Sequence, residues 1–340
     1  MLTIEQLEKR VAEEQLQTFY LFYGEELFLL DTIVKKIKKK FGVLQLGINY
    51  ITIDETNLQE LIPNLDTPAF GYDKKLILIK NSGLFQKEGK KKNAQLTKKK
   101  EDLLSYFIQN KEMIQQSAII LFQETEIEKQ SLFKWIEENG IICQFDFQKP
   151  LQITKRLKAI ANAYHVRVED STLNYLLEEC GTNMQDLINE IRKLIEYVGK
   201  DGTITKQDID LLSTKQIQAI IFDLTDNLGK KKTKQALEVY SNLLYSKEPV
   251  QKILITLYHH FKKLYMVKLA KKEGGNIGSC LNLKPNQQFL VRKYTQQAEY
   301  FKEEELRQII EQFFKLDTDS KVGKIDLELG LQSILCLYCS

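Results

Sequence analysis

Five short apolar runs, each followed by a segment of different spacing, stop at Phe147, and this break limits the possible folds more than any other feature of the chain. The runs are 19–23, 50–53, 76–79, 118–122 and 141–147. Continuous apolar runs of this length suit strands covered on both faces, as in a parallel sheet. Between them the apolar residues recur three and four apart. Ile4, Leu7 and Val11 mark a first helix, and Leu27, Leu30, Ile33, Val34 and Ile37 a second over 25–40. Further helices are expected over 58–65, 98–109 and 127–139, the last ending on Gly140 as a left-handed cap. Strands alternating with helices predict an α/β domain with a mostly parallel sheet.

After Phe147 the strand signals cease and the remainder reads as helix. Pro150 opens a helical run to Tyr164, and Asp170-Ser171 is placed to cap a helix over 172–180 that stops at Gly181. A third helix, 184–198, carries Leu187, Ile191, Leu194 and Ile195 on one face, and Thr205 can cap a short fourth. Helices are then expected near 216–228, 231–245, 249–273, 286–300, 302–316 and 325–338, punctuated by Gly229, Pro249, Gly274, Pro285 and Gly323. No heptad is sustained, so these pack as a bundle and not as a coiled coil. The class is therefore α/β plus all-α: a parallel-sheet domain over 1–148, a small helical domain over 149–212 and a helical bundle over 213–340.

The first strand-to-helix turn of such a sheet is where a nucleotide phosphate would be held. A phosphate loop needs glycines, a lysine for the outer phosphates and a Ser or Thr for magnesium. The turn here reads Tyr23-Gly24-Glu25-Glu26-Leu27, with one glycine, no lysine and two acids that repel phosphate. ATP hydrolysis is not expected. Neither is a metal or cofactor site: His259 and His260 are adjacent, so a helix points them about 100° apart. Cys336 and Cys339 form a lone C-x-x-C without partners of metal-binding spacing. Carboxylate pairs such as Glu137-Glu138 read as exposed helix faces. A domain shaped for nucleotide yet lacking its phosphate groups suggests work done by binding partners.

Charge narrows this further. The 340 residues hold 49 Lys and Arg against 46 Asp and Glu, a net charge of +3 that excludes a strongly polycationic nucleic-acid binder. Residues 87–100 alone contain seven Lys and one Glu, so the rest of the chain sums to −3. That segment reads either as a solvated loop or as a phosphate contact through Lys90, Lys91, Lys92, Lys98 and Lys99. The acidic start, the absence of an 18-residue apolar stretch and five scattered cysteines lead us to expect a cytoplasmic protein without a signal peptide or membrane span.

Several local patterns, in order over most of the chain, resemble the delta-subunit family of the bacterial DNA polymerase III clamp loader. They are Tyr20-Leu21-Phe22-Tyr23-Gly24-Glu25-Glu26 and Thr67-Pro68-Ala69-Phe70-Gly71 before the third strand. Ala118 to Phe122, Phe133 to Gly140, Gly181 to Leu187 with Glu190 to Leu194, and Phe222-Asp223-Leu224 with Gly229 continue the match. The resemblance implies an AAA+-like fold without ATPase activity, a helical lid and a helical collar. It implies a subunit that binds and opens the ring-shaped sliding clamp (the beta subunit) so that the ring can be loaded on primed DNA. Its partners would be the tau/gamma ATPase subunits, delta-prime and primer-template DNA. By position Pro68, Ala69 and Phe70 match the family's clamp-binding wedge, with Ala69 smaller than usual and Phe70 the main anchor. Gln185 stands near the place of the nucleotide-sensing Arg of active lids. From the residues alone, Phe70 could also cap the core beneath the third strand. A degenerate AAA+ scaffold, or a DNA-binding protein using the 87–100 segment, remains the alternative function.

Overall fold

An interior strand of a parallel sheet covered on both faces has no wet face, and Phe19–Tyr23 (β1) meets that demand with every side chain buried. The structure is a computed structural model that describes residues 1–86, 94–245 and 248–339. It divides into two units, Met1–Phe147 and Gln148–Ser340.

In the first unit the order is α1 (Ile4–Glu13), β1, α2 (Leu27–Phe41), β2 (Tyr50–Ile53), α3 (Leu61–Asp66) and β3 (Lys75–Lys80). Then follow α4 (Ala94–Gln109), α5 (Lys111–Ser117), β4 (Ala118–Glu124), α6 (Ser131–Asn139) and β5 (Ile141–Gln144). The strands form one sheet in the order β2-β3-β4-β1-β5, every pair parallel. Leu21 lies between Phe122 and Ile142 in register. One face is filled by aromatic rings: Phe19 meets Trp135 edge-on at 4.8 Å, and Trp135 stacks on Phe107 at 5.4 Å. Phe85 and Phe122 meet at 5.2 Å in the same cluster. Burying each such ring is worth about 1.5–3 kcal/mol.

Three local expectations change. The helix expected over 127–139 begins only at Ser131, and α5 was not foreseen. Gly140 is not a left-handed cap: its φ is −153°, ordinary extended backbone. It is glycine because a Cβ there would stand 2.4 Å from the Phe19 carbonyl oxygen, where the end of α6 and the start of β1 touch.

The second unit holds α7 (Pro150–Ala163), β6 (Arg167–Val168), α8 (Asp170–Cys180), α9 (Met184–Val198), β7 (Thr203–Ile204) and α10 (Lys206–Leu212). It continues with α11 (Ile217–Gly229), α12 (Thr233–Tyr245), α13 (Val250–Lys272), α14 (Ile277–Cys280), α15 (Leu290–Ala298), α16 (Glu303–Lys321) and α17 (Leu327–Cys339). The all-helix expectation misses the two-residue strands β6 and β7, which pair in parallel. Helix α8 starts at Asp170 with Glu169 before it and no side-chain cap, so Asp170-Ser171 does not cap it. Asn183 caps α9, and Thr205 with Asp208 forms a reciprocal capping box on α10. The connection 213–216 is tied to Glu179 of α8 by two bonds. Gln216 N–H donates to the Glu179 carbonyl at 2.8 Å, and Lys215 pairs with the Glu179 carboxylate at 2.5 Å. From 217 onward one apolar cluster, with Phe261 against both Phe301 and Phe313, holds the helices together. Among the described residues no helix is long and apolar enough to cross a membrane.

Candidate protein-docking turn

The first strand-to-helix turn is closed by the chain itself. Gly24 has φ +131°, and a Cβ there would lie 2.3 Å from the Phe145 carbonyl oxygen. Gly24 N–H donates to the Glu124 carbonyl at 3.2 Å and Glu26 N–H to the Phe145 carbonyl at 2.8 Å. Phe145 N–H in turn donates to the Tyr23 carbonyl at 2.7 Å. Backbone donors that a phosphate loop would point at its anion are thus spent on β4 and the segment after β5. Beside them Ser82 and Glu124 are both buried. The Ser82 hydroxyl and amide donate to Glu124 Oε1 at 2.5 and 3.0 Å. Burial raises the Glu124 pKa, and the two Ser82 bonds oppose the rise.

The chemistry lies instead at the opposite end of β3, where α3 turns into the strand. Thr67 closes α3, its hydroxyl donating to the Pro63 carbonyl at 2.9 Å. The chain then makes a tight turn in which Tyr72 N–H donates to the Ala69 carbonyl at 3.0 Å. Gly71 supplies the third position with φ +87°, as a type II turn requires. Three struts hold this turn to the domain. Buried Lys75 donates from Nζ to the Asn64 carbonyl at 2.8 Å and the Thr67 hydroxyl at 3.0 Å. The Tyr106 hydroxyl of α4 donates to Asp66. Lys74 reaches the Gln115 carbonyl at 2.5 Å.

On that frame Ala69 turns inward, Pro68 is exposed and the Phe70 ring is 73% exposed. Phe70 therefore does not cap the core beneath β3, and the frame spends its bonds holding an aromatic ring in water. Lys98 and Lys99 are exposed on α4, while Lys100 is buried against the Gln86 carbonyl at 3.3 Å. Lys90, Lys91 and Lys92 lie outside the described residues. The role of Lys75 is not evident from the sequence. The available signal was a lysine directly abutting a four-residue apolar run. Elsewhere, His260 is buried in the second unit between Gln218 and Gln297. His259 is exposed, and no metal-ligating cluster occurs among the described residues.

Two family models match this chain. That for "DNA polymerase III, delta subunit" covers residues 20–146, and that for the "DNA polymerase III delta subunit, C-terminal domain" covers 218–338. The chain belongs to the DNA polymerase III delta subunit family. The DNA polymerase III subunit delta of Bacillus subtilis is 24% identical over 96% of this chain and 94% of its own. A probable DNA polymerase III subunit delta from Aquifex aeolicus is 26% identical over 89% and 86%. The solved structure of the Bacillus subtilis DNA clamp loader delta protein shares the fold, with a TM-score of 0.75, 23% identity and 99% of each chain covered. As a delta-family protein the chain is a non-catalytic component of the clamp loader in DNA replication. The closed first turn gives that lack of catalysis a physical cause.

Proposed function

We propose that this delta subunit binds and opens the sliding clamp through the turn from Pro68 to Phe70, with the Phe70 ring as the anchor. The supporting observation is one exposed aromatic ring on a turn braced by Lys75, Tyr106 and Lys74. A rigid, preorganised aromatic entering a pocket loses little entropy on binding and suits a hot spot, where truncation costs about 2 kcal/mol or more. Ring opening then follows from differential affinity: a subunit that binds the strained or open interface better than the closed one shifts the ring toward opening. Residues 149–212 act as the lid and 213–340 as the collar that joins the tau/gamma ATPase and delta-prime subunits in the cytoplasm. Lys90, Lys91, Lys92, Lys98 and Lys99 add phosphate contacts to primer-template DNA once the loader is assembled.

The test is direct binding of the purified chain to its cognate ring clamp. Phe70→Asp is expected to abolish binding and leave the melting temperature unchanged, because the ring contributes little to the core. Undiminished affinity would remove Phe70 from the interface.

A further inference from the structure

We infer that the same ring partner is held at a second point, an open cleft beside the Phe70 turn, lined by Val43 and Asn49 of a loop on which Leu46 is also exposed. This inference rests on the function proposed above and extends the contact beyond the wedge. The cleft has a volume of about 560 Å³ and lies at the edge where the strands begin. Leu16, Phe41, Ile119, Val43 and Tyr72 supply its apolar walls.

Two features set it apart from an ordinary groove. The first is rigidity. Fully buried Asn49 accepts the Gln45 N–H at 2.6 Å, donates to the Val43 carbonyl at 2.8 Å, and accepts the Leu76 N–H on its own carbonyl at 2.7 Å. The loop is therefore sewn to β3, and it still holds Val43 at 74% and Leu46 at 68% exposure. A loop with its polar groups satisfied that keeps apolar side chains outward presents them for contact. The cations nearby are already committed, Lys40 to the carbonyls of Val11, Ala12 and Glu14 and Lys74 to that of Gln115. With these cations engaged and Asp73 also in the wall, the cleft disfavours an anion, and its apolar walls suit an apolar side chain.

The second feature names the occupant. Tyr72 walls the cleft and is also the last residue of the hydrogen-bonded turn that carries Phe70. A body that buries Phe70 must pass within a side chain's reach of Tyr72, so it covers the mouth of the cleft. Phe70 enters the partner, and an apolar side chain of the partner enters the cleft. Two points of attachment fix orientation, which a single ring cannot.

The experiment measures affinity of the full chain for its cognate ring clamp with Val43→Asp, Leu46→Asp and Phe70→Ala, checking each fold by thermal unfolding. Val43 and Leu46 are exposed, so their variants are expected to melt with the parent. The inference requires at least a fivefold loss of affinity with Val43→Asp and Leu46→Asp, and a larger loss with Phe70→Ala. Parent affinity for both loop variants, with Phe70→Ala still impaired, overturns the second contact and leaves the wedge standing. Undiminished affinity of Phe70→Ala overturns the wedge and with it the shared partner. A change in the self-association of the chain alone on Val43→Asp would also overturn the inference, by making a second copy the occupant.

Discussion

The Lys75 ammonium stands 2.8 Å from the Asn64 carbonyl, joining the first residue of β3 to the last turn of α3. No carboxylate within ion-pair distance of Lys75 is found among the described residues, and burial pushes its pKa below the usual lysine range. The contact is a cation at a helix C-terminus, favoured by the helix dipole and opposed by desolvation. Lys75→Met keeps the stem and removes the charge. Global stability is expected to change by no more than about 1 kcal/mol, since a hydrophobic replacement relieves the desolvation. The amides of Thr67 and Tyr72 should exchange with solvent faster, because their turn has lost its strut. Unaltered exchange at both amides would show that Lys75 does not hold the turn.

Gly140→Ala is expected to destabilise the first unit by about 1–3 kcal/mol, the usual penalty for inserting a methyl group into packed structure. The added carbon would meet the Phe19 carbonyl at 2.4 Å, and backbone cannot step aside as a flexible side chain can. Urea unfolding measures the change. A loss under about 0.5 kcal/mol, typical of surface substitutions, would contradict the close approach.

His260 sets a pH dependence in the second unit. Its Nε2 lies 2.8 Å from Gln297 Oε1, and its Nδ1 faces the Gln218 amide nitrogen at 3.2 Å, an arrangement that fits the neutral ring. Burial, aided by the Lys263 charge, lowers its pKa from 6.5 to about 3, against the opposing pulls of Gln297 and Asp226. A depressed pKa means the unfolded chain binds the proton first. The stability this neutral ring contributes is present above pH 6.5 and is lost progressively as pH falls toward 3. His260→Gln should show a flatter loss of stability than the parent between pH 6.5 and 4.5 in denaturant titrations. Parallel slopes would exclude His260 as the source.

Glu124 works in the other sense. Its folded-state pKa is raised from 4.5, so its protonated form is the one favoured by folding. That contribution is complete below pH 4.5 and is lost as pH rises through the higher folded value. Glu124→Gln keeps an oxygen for the Ser82 donors and cannot ionise. Its stability relative to the parent is expected to rise with pH from 4 toward 7, read from melting temperatures across that range. A constant difference would show that the buried carboxyl does not titrate there.

The sheet was legible because parallel strands are apolar throughout. All five were placed from the runs alone, with β5 ending at Gln144 rather than at 147. The bundle helices were legible from glycine and proline punctuation, down to α13, expected over 249–273 and found at Val250–Lys272. The pair β6 and β7 was not, because two residues per strand leave no period to detect. Gly140 was misread because a glycine after a helix signals either a positive φ or a close approach, and sequence cannot separate the two. For the candidate site, the Thr67-Pro68-Ala69-Phe70-Gly71 pattern pointed to the turn. Whether Phe70 faced the core or the solvent depended on bonds made by Lys75 and Tyr106, residues near and far in the chain. Asn49, which rigidifies the neighbouring loop, looks like any polar loop residue until its three partners are seen.

Gly24 pressed against Phe145 has a consequence for timing. A turn whose donors are already engaged by its own chain has no vacancy that nucleotide could fill, so the domain has no internal clock. Under the function proposed above, nucleotide bound to this domain does not vary its grip on a partner, and release is imposed by neighbours that compete for or cover the exposed face. Restoring the missing Lys and Ser in this turn would not revive a cycle unless the chain after β5 were also moved away.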